Sequence, residues 1–284
     1  MKKIKQPGEN DKMKNLDIEQ LEKVGKARKV DLFSKLCKVQ EGHPGSILSI
    51  FDIVNCIYNA GYLELSTAST HNDSFIMSKG HAAAAQYPFL AEKGFIGEDD
   101  WNSWGVLPES SLRVFGNIDI PGIDVTSGSL GHGVGIAAGI ALANQNDKKD
   151  NVVYVIISEG ELYEGSTWES LLFCAHHGLS NIKIVVDVNK NMILGRPEEC
   201  LMLEDIERKF QAFNFETQRI NGHNYNEIIN GLDFLNATTK TPRVLVADTI
   251  KGKGVSFLED KPESHYWGNM SSEKMDLMMK ELTS

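Results

Sequence analysis

Carboxylate and amide side chains occur at a regular spacing behind apolar runs of the kind that form buried strands. Glu159 follows the run at residues 152–157 and Asn189 follows the run at residues 182–188, so they are 189 − 159 = 30 residues apart. A strand, helix, strand unit has about this length, and both side chains are expected at one edge of a parallel sheet. Such oxygens bind Mg2+, which completes its shell with phosphate oxygens and water. The pattern indicates a magnesium and diphosphate site, although the two residues also fit ordinary polar loop positions.

The elements that would position these residues alternate between strand-like and helical patterns. Continuous apolar runs are typical of parallel strands that are covered on both faces. The alternation predicts an α/β fold class, a doubly wound, mostly parallel sheet with helices on both faces. Expected strands are residues 75–77, 152–157, 182–188, 215–220 and 244–248, and expected helices are residues 18–37, 46–59, 134–143, 166–177, 224–235 and 272–282.

Domain organisation follows from length and composition. Residues 1–15 are polar and predict a flexible N-terminal tail. Residues 16–284 contain no repeat or linker and predict a single diphosphate-binding domain. Within it, residues 252–266 lack periodicity and are expected to wrap over the sheet edge.

The charge balance excludes some classes of partner. Lys and Arg number 29 against 39 Asp and Glu, and the formal charge of −10 opposes binding to nucleic acid or to an anionic membrane. No apolar run approaches the roughly 18 to 20 residues that span a bilayer, so a cytoplasmic protein is predicted. The four cysteines have wide, irregular spacing, which fits neither a zinc site nor a disulfide framework.

Several further motifs occur in order along the chain. They are Gly42-His43-Pro44-Gly45, Ser78-Lys79-Gly80-His81, TSGSLGHG at residues 126–133, Asn221-Gly222-His223 and TIKGKG at residues 249–254. Together with Ser158-Glu159-Gly160, Glu164-Gly165 and Asn189, this ordered set resembles the N-terminal, diphosphate-binding half of transketolase, a thiamine diphosphate enzyme. The resemblance extends from about residue 27 to residue 265, which is nearly the whole chain.

The resemblance implies the thiamine diphosphate-binding fold, with thiamine diphosphate and Mg2+ or another divalent cation as cofactors. Glu159, Asn189 and the main-chain carbonyl of Asn191 correspond to the metal ligands of the family, and Asn189 also to a cofactor-binding residue. Full-length transketolases continue into a pyrimidine-binding and a C-terminal domain, and the resemblance implies that these are not part of this chain. It therefore resembles the N-terminal subunit of a split transketolase.

Further cofactor contacts are implied at neighbouring loops. Gly160 and Glu161 lie where main-chain amides approach the diphosphate, and a side chain at position 160 would crowd that approach. Glu164 corresponds to a glutamate that contacts the cofactor glutamate of the partner subunit, and it equally fits a first-turn acid favoured by the helix dipole. The aminopyrimidine end of the cofactor would contact Gly128, Ser129 and Leu130.

His43, His81 and His265 correspond to histidines that line the cofactor and substrate channel of transketolase. Imidazole donates hydrogen bonds and moves protons near neutral pH, which a reaction with carbanion and alkoxide intermediates requires. These three are the predicted catalytic residues, whereas His223 is expected to be structural.

The implied function is transfer of a two-carbon ketol unit between sugars, with a separately encoded C-terminal subunit that is required for activity. The expected assembly is an α2β2 heterotetramer, and the expected substrate is a sugar or sugar phosphate.

Departures from the family pattern concern the metal and the substrate. Ser158 and Glu159 replace the Gly and Asp of Gly-Asp-Gly, and the extra methylene alters a geometry on which Mg2+ makes strict demands. Asn117 follows Gly116 where the family has a substrate-contacting histidine, and His132 replaces a glutamine. These changes suggest a modified or nucleotide-linked sugar.

Other functions remain compatible with the sequence. The same cofactor supports a deoxyxylulose-phosphate-synthase-like condensation or a 2-oxoacid dehydrogenase E1 component, and the altered Gly-Asp-Gly suits a degenerate, non-catalytic regulatory subunit. The glycines at residues 131–135 superficially resemble a dinucleotide fingerprint. Residues 123–127 form a poor strand before them, which argues against a nicotinamide-dependent oxidoreductase.

Overall fold

A parallel β-sheet forms the centre of the protein, whose computed structural model describes residues 17–68, 72–106, 110–262, 265–268 and 270–284. The strands are β1 (Glu41–Gly42), β2 (Ser74–Met77), β3 (Val153–Ser158), β4 (Ile182–Val188), β5 (Glu216–Asn221), β6 (Arg243–Asp248) and β7 (Trp267–Gly268). Within these described residues, five strands form the sheet in the order β2-β3-β4-β6-β5, and all neighbours are parallel. The short strands β1 and β7 pair antiparallel with each other.

Helices connect the strands. They are α1 (Ile18–Val39), α2 (Pro44–Asn59), α3 (Tyr87–Glu92), α4 (Glu98–Ser103), α5 (Gly133–Asn146), α6 (Gly165–His176), α7 (Pro197–Cys200), α8 (Ile206–Ala212), α9 (Tyr225–Asn236) and α10 (Ser272–Thr283). The Asp17 side chain caps α1 by accepting a hydrogen bond from the Gln20 amide. α2 begins with Pro44, which is favoured at the first helical position, and all its residues are buried.

Apolar side chains cover both faces of the sheet. In β3, Tyr154 and Ile156 belong to a buried cluster with residues of α1, α2, α3, α9 and α10. Val153, Val155 and Ile157 alternate with them and belong to a cluster with residues of α5, α6 and α8. This division follows from the two-residue period of a strand. The predicted doubly wound α/β class with helices on both faces is confirmed.

The predicted elements agree with the structure to within a few residues. The strand expected at residues 182–188 is β4, and all seven of its residues are buried. The aperiodic segment from residue 252 packs against the start of α2, where the Gly252 amide donates to the Gly45 carbonyl at 2.9 Å. The tail predicted at residues 1–15 lies outside the described residues. Among the residues that are described, no helix has the length and apolar character needed to cross a bilayer.

Ile184→Ala is expected to lower the free energy of unfolding by about 2 to 5 kcal/mol, because Ile184 is fully buried in β4 and the smaller side chain leaves a cavity. Ile118 is 63% exposed, so Ile118→Ala serves as the matched control and should change it by about 0.5 kcal/mol or less. Urea-induced unfolding measures both values. Equal effects of the two substitutions would contradict the placement of β4 in the core.

Candidate active site

A cavity of about 440 Å³ opens at the carboxyl ends of the sheet strands. Ligands of open parallel sheets bind at this edge because loops and helix N-termini converge there. Ser129 and Glu164 are exposed outside the cavity wall, and Glu161 is buried behind it. The predicted site residues that line the cavity are His43, His81, Gly128, Leu130, Glu159, Gly160, Asn189, Asn191 and His265.

Glu159 and Asn189 emerge from adjacent strands. β3 and β4 are paired in parallel with Ser158 opposite Asp187, so the loops that follow them lie at the same edge. Oε2 of Glu159 accepts a hydrogen bond of 2.9 Å from the Lys190 amide. Burial raises the pKa of the Glu159 carboxyl, and this hydrogen bond opposes the rise. The predicted adjacency of the two strands is confirmed.

Oxygen donors for a cation are present at this edge. Asn191 lines the cavity, and its buried Oδ1 atom has no hydrogen-bond partner in the described part of the chain. A Cβ atom on Gly160 would meet nothing closer than Ser158 Oγ at 3.9 Å, so a ligand can approach the main chain there. Within the described ranges, no group of three or more His, Cys, Asp or Glu side chains could hold a metal. A cation would therefore combine the Glu159 carboxylate with amide, carbonyl and phosphate oxygens, a donor set that fits Mg2+.

A buried ion pair forms the floor of the cavity. Nζ of Lys79 contacts Oδ2 of Asp187, and neither side chain has exposed area. Ser49 Oγ donates to Oδ1 of Asp187 at 2.7 Å, and the hydroxyl of Thr249 donates to the same carboxylate. Nδ2 of Asn189 donates to Ser49 Oγ at 3.1 Å. The floor is thus connected directly to a candidate metal ligand.

Sequence reasoning missed Lys79 and Asp187 as members of the site. Lys79 lies within the SKGH motif, and Asp187 interrupts the apolar run of β4. That interruption is the signal that could have revealed the pair, because a charge in a strand covered on both faces needs a partner.

His43, His81 and His265 come together from distant parts of the chain. The distance between ring centroids is 5.3 Å for His43 and His81, 5.1 Å for His43 and His265, and 5.5 Å for His81 and His265. The rings of Phe115 and Tyr266 also contact His43. The predicted catalytic residues therefore form one packed cluster of rings.

Burial and nearby lysines keep these imidazoles neutral. Desolvation, reinforced by the charge of Lys251, lowers the pKa of His43 and of His265 to about 4. Burial likewise lowers the pKa of His81 well below its ordinary value. Nζ of Lys251 lies 3.0 Å from Nδ1 of His265, and burial lowers the pKa of this lysine to about 8. At neutral pH the rings are neutral and can donate and accept hydrogen bonds, and Lys251 adds positive charge beside them.

Glu161 connects the glycine-rich loop, residues 126–133, to the end of β2. Its Oε1 atom accepts hydrogen bonds from the Ser78 hydroxyl and, at 2.9 Å, from the Gly131 amide. Its own amide donates to Ser158 Oγ at 3.2 Å. Burial raises the pKa of this carboxyl, whose Oε2 atom has no hydrogen-bond partner among the described residues.

The fold and the site define an α/β protein with a parallel sheet and a polar, ligand-sized cavity at the carboxyl ends of its strands. Residues 22–281 match the family described as transketolase, thiamine diphosphate binding domain. The chain is 31% identical over 271 residues to one of the subunits of the apulose-4-phosphate transketolase of Phocaeicola vulgatus, covering 94% of this chain and 95% of that protein. It is 36% identical over 247 residues to the 6-deoxy-6-sulfo-D-fructose transketolase subunit SqwG of a Clostridium species, and the match covers 84% of this chain and 87% of that protein.

A solved structure with the same fold is the transketolase of Campylobacter jejuni, with a TM-score of 0.86 and 25% sequence identity. The match covers 94% of this chain and 43% of that chain, so this chain spans less than half of the C. jejuni enzyme. The chain belongs to the transketolase family, whose thiamine diphosphate-binding domain it contains. The predicted family, its cofactor thiamine diphosphate and the transketolase-type transferase class are confirmed.

His43→Asn is expected to remove the part of the pH dependence of the free energy of unfolding that arises from this histidine. Between pH 6.5 and about 4 the unfolded chain takes up a proton at His43 that the folded chain does not, so acid destabilises the wild type through this residue. The free energy of unfolding of the wild type minus that of the variant should stay constant above this range. As the pH falls through the range, the difference should decrease by at most about 1.4 kcal/mol per pH unit. Urea unfolding at a series of pH values measures it, and a flat difference would contradict a neutral, buried His43.

Proposed function

We propose that this protein is the cofactor-binding subunit of a transketolase that transfers a two-carbon ketol unit between sugars, together with a separate C-terminal subunit. The observation that carries the proposal is the match, over almost the whole length of both chains, to a protein whose name makes it one subunit of a transketolase. The cavity supports it, because candidate cation ligands, the lysine of the floor and the histidines all line one space.

The residues present fit thiamine diphosphate, which supplies an electron sink for breaking a carbon–carbon bond when bound. Glu159, Asn189 and the carbonyl of Asn191 would hold Mg2+ or another divalent cation. The main chain at Gly160 and Glu161 would lie along the diphosphate, since no side chain covers Gly160. The glycine-rich loop would contact the aminopyrimidine through Gly128, Ser129 and Leu130.

His43, His81 and His265 are the proposed catalytic residues. A neutral imidazole can donate from one ring nitrogen and accept a proton at the other, which suits proton transfer to and from sugar hydroxyls. The buried Nδ1 atom of His43 has no hydrogen-bond partner among the residues described, and this supports its assignment to a substrate hydroxyl. The packing of the three rings against each other restricts their orientation.

The proposed substrate is a modified sugar or sugar phosphate, or a nucleotide-linked sugar. The names of two relatives specify apulose-4-phosphate and 6-deoxy-6-sulfo-D-fructose, neither of which is an ordinary ketose phosphate. Phe115 lines the cavity, is 40% exposed and contacts the ring of His43. Asn117 follows closely, at the position of the family histidine. An apolar ring and a neutral amide here support a sugar with an altered end group.

An exposed apolar patch, which comprises Ile136 of α5 and Leu172 and Phe173 of α6, supports the proposed partner subunit. These side chains are 39%, 56% and 41% exposed, and the two helices pack against each other. Large apolar side chains exposed together are typical of protein interfaces. Glu164 is exposed at the N-cap of α6, close to this patch along the chain. We propose that the partner covers the patch and Glu164 in an α2β2 heterotetramer.

Reconstitution tests the proposed function. The chain, mixed with a candidate C-terminal transketolase subunit, thiamine diphosphate and Mg2+, should transfer a two-carbon unit from a ketose donor to an aldose acceptor. Mass spectrometry of the sugars detects the transfer, and the chain alone should show none. A complex that binds thiamine diphosphate without any ketol transfer would contradict the reaction, and one without cofactor binding would contradict a catalytic role.

Glu159→Gln should weaken Mg2+-dependent binding of thiamine diphosphate at least about tenfold, because the substitution removes the carboxylate charge while keeping the size of the side chain. Glu19→Gln, in the exposed first turn of α1, is the control and should bind like the wild type. Isothermal calorimetry on the assembled enzyme measures both affinities, and thermal unfolding verifies that the fold is unchanged. Wild-type affinity in the Glu159 variant would exclude this residue as a metal ligand.

Leu172→Asp should weaken the association of the two subunits by about 2 kcal/mol or more, because the complex would then bury an unpaired charge. Leu277 of α10 is 40% exposed, and Leu277→Asp is the matched control that should leave the complex intact. Size-exclusion chromatography over a concentration series measures the association. Undiminished assembly of the Leu172 variant would show that the partner binds elsewhere.

A further inference from the structure

A buried carboxylate in the middle of α2 lies outside the residues that line the cofactor cavity. Asp52 is 7% exposed, its Oδ1 atom accepts from Lys29 Nζ at 2.9 Å, and its Oδ2 atom lies 2.9 Å from Nδ1 of His223. Burial opposes the ionisation of Asp52, but Lys29 and His223 overcome it and lower the pKa of the carboxyl to about 2. Asp52 is therefore a permanent anion and a fixed hydrogen-bond acceptor at neutral pH.

His223 connects this carboxylate to the main chain after β6. Its Nε2 atom accepts a hydrogen bond of 2.9 Å from the Ile250 amide. Because a ring nitrogen that accepts carries no proton, the imidazole is neutral, and its proton is on Nδ1 and is donated to Asp52. The His223 side chain is 9% exposed, so water competes little for either hydrogen bond.

Both neighbours of Ile250 act at the cofactor cavity. The hydroxyl of Thr249 donates to Asp187 in the cavity floor, and Nζ of Lys251 lies 3.0 Å from Nδ1 of His265. β6 ends at Asp248 and the Thr249 amide still donates to the Val188 carbonyl at 3.0 Å, so the pairing of strands stops one residue before Ile250. The bond from His223 fixes the main chain there, midway between the two functional side chains.

We propose that His223 is a positioning residue for the cofactor site. By holding the Ile250 amide, it keeps Thr249 against the ion pair of the floor and Lys251 beside the histidine cluster, and so tightens the binding of thiamine diphosphate. His223 does not line the cavity and acts through the main chain. This inference rests on the proposed function, because it assigns the cavity to this cofactor. It also gives the Asn221-Gly222-His223 motif a role beyond the structural one expected from the sequence.

Two substitutions separate the hydrogen bonds of His223. In His223→Asn, the side-chain amide can still donate to Asp52 from near the Nδ1 position, but no atom accepts from Ile250. In His223→Gln, the longer side chain can place its oxygen near the Nε2 position and accept from Ile250. The pair therefore tests the contact with Ile250 in a protein that keeps a polar side chain at this position.

The measurement is the dissociation constant of thiamine diphosphate with Mg2+, by isothermal calorimetry on the assembled enzyme, together with KM for the cofactor and kcat at saturating cofactor. His223→Asn should raise the dissociation constant and KM up to about tenfold, the effect of one lost hydrogen bond, with kcat changed less than about twofold. His223→Gln should keep both constants within about twofold of the wild type.

Unchanged affinity in His223→Asn, with a lowered melting temperature, would show a purely structural role and overturn the inference. Equal losses of affinity in both variants would also overturn it, because the contact with Ile250 would not be the cause. Should His223→Asn fail to fold, weakened cofactor binding by folded His223→Gln would be decisive against it. Failure of the wild-type enzyme to bind thiamine diphosphate would instead refute the proposed function itself.

Discussion

The contact between Lys79 and Asp187 determines how the segments around the cavity are arranged. Neither side chain has exposed area, and a buried charge that loses its partner costs about 3 to 5 kcal/mol. The pair joins the residues after β2 to β4, while Ser49 and Thr249 attach α2 and the end of β6 to the same carboxylate. Elements that are remote in sequence therefore contact the same buried ion pair. The shape of the cavity depends on this pair remaining intact.

Positive charge and the proposed proton transfer belong to different side chains of this cavity. The charges of Lys251 and Lys79 contribute to keeping His43 and His265 neutral, while Lys79 is itself paired with Asp187. A neutral imidazole keeps one ring proton, so one nitrogen can donate a hydrogen bond and the other can accept one from a hydroxyl. The positive charge of the lysines thus favours the neutral form of the neighbouring rings, which can donate and accept hydrogen bonds but are weaker bases than a free imidazole.

The fold was largely predictable from the sequence because its strands are buried on both faces. Continuous apolar runs such as that of β4 are typical of such strands, and the 30-residue spacing of Glu159 and Asn189 fits neighbouring strands of one strand, helix, strand unit. The site was less predictable from the sequence than the fold. The gathering of His43, His81 and His265 came only from the resemblance to a family, since no local pattern relates residues so far apart in the chain.

Contacts between polar side chains that are far apart in the chain could not be predicted from the sequence, for the same physical reason. Lys79 and Asp187 are 108 residues apart, and His223 and Asp52 are 171 apart, so each pair depends on packing of the complete fold. A charged residue within an apolar strand indicates that a partner exists, but it does not say which residue is the partner.

The register between β3 and β4 limits how this gene can change in length. Successive side chains of a strand point to opposite faces, so deletion of a single codon within residues 153–158 would turn the carboxylate of residue 159 away from Asn189 and exchange the two faces of the strand. The exposed turn at His177, between α6 and β4, has no such restriction. Insertions and deletions should therefore be tolerated at that turn and selected against in the strand, even where every individual substitution in the strand is conservative.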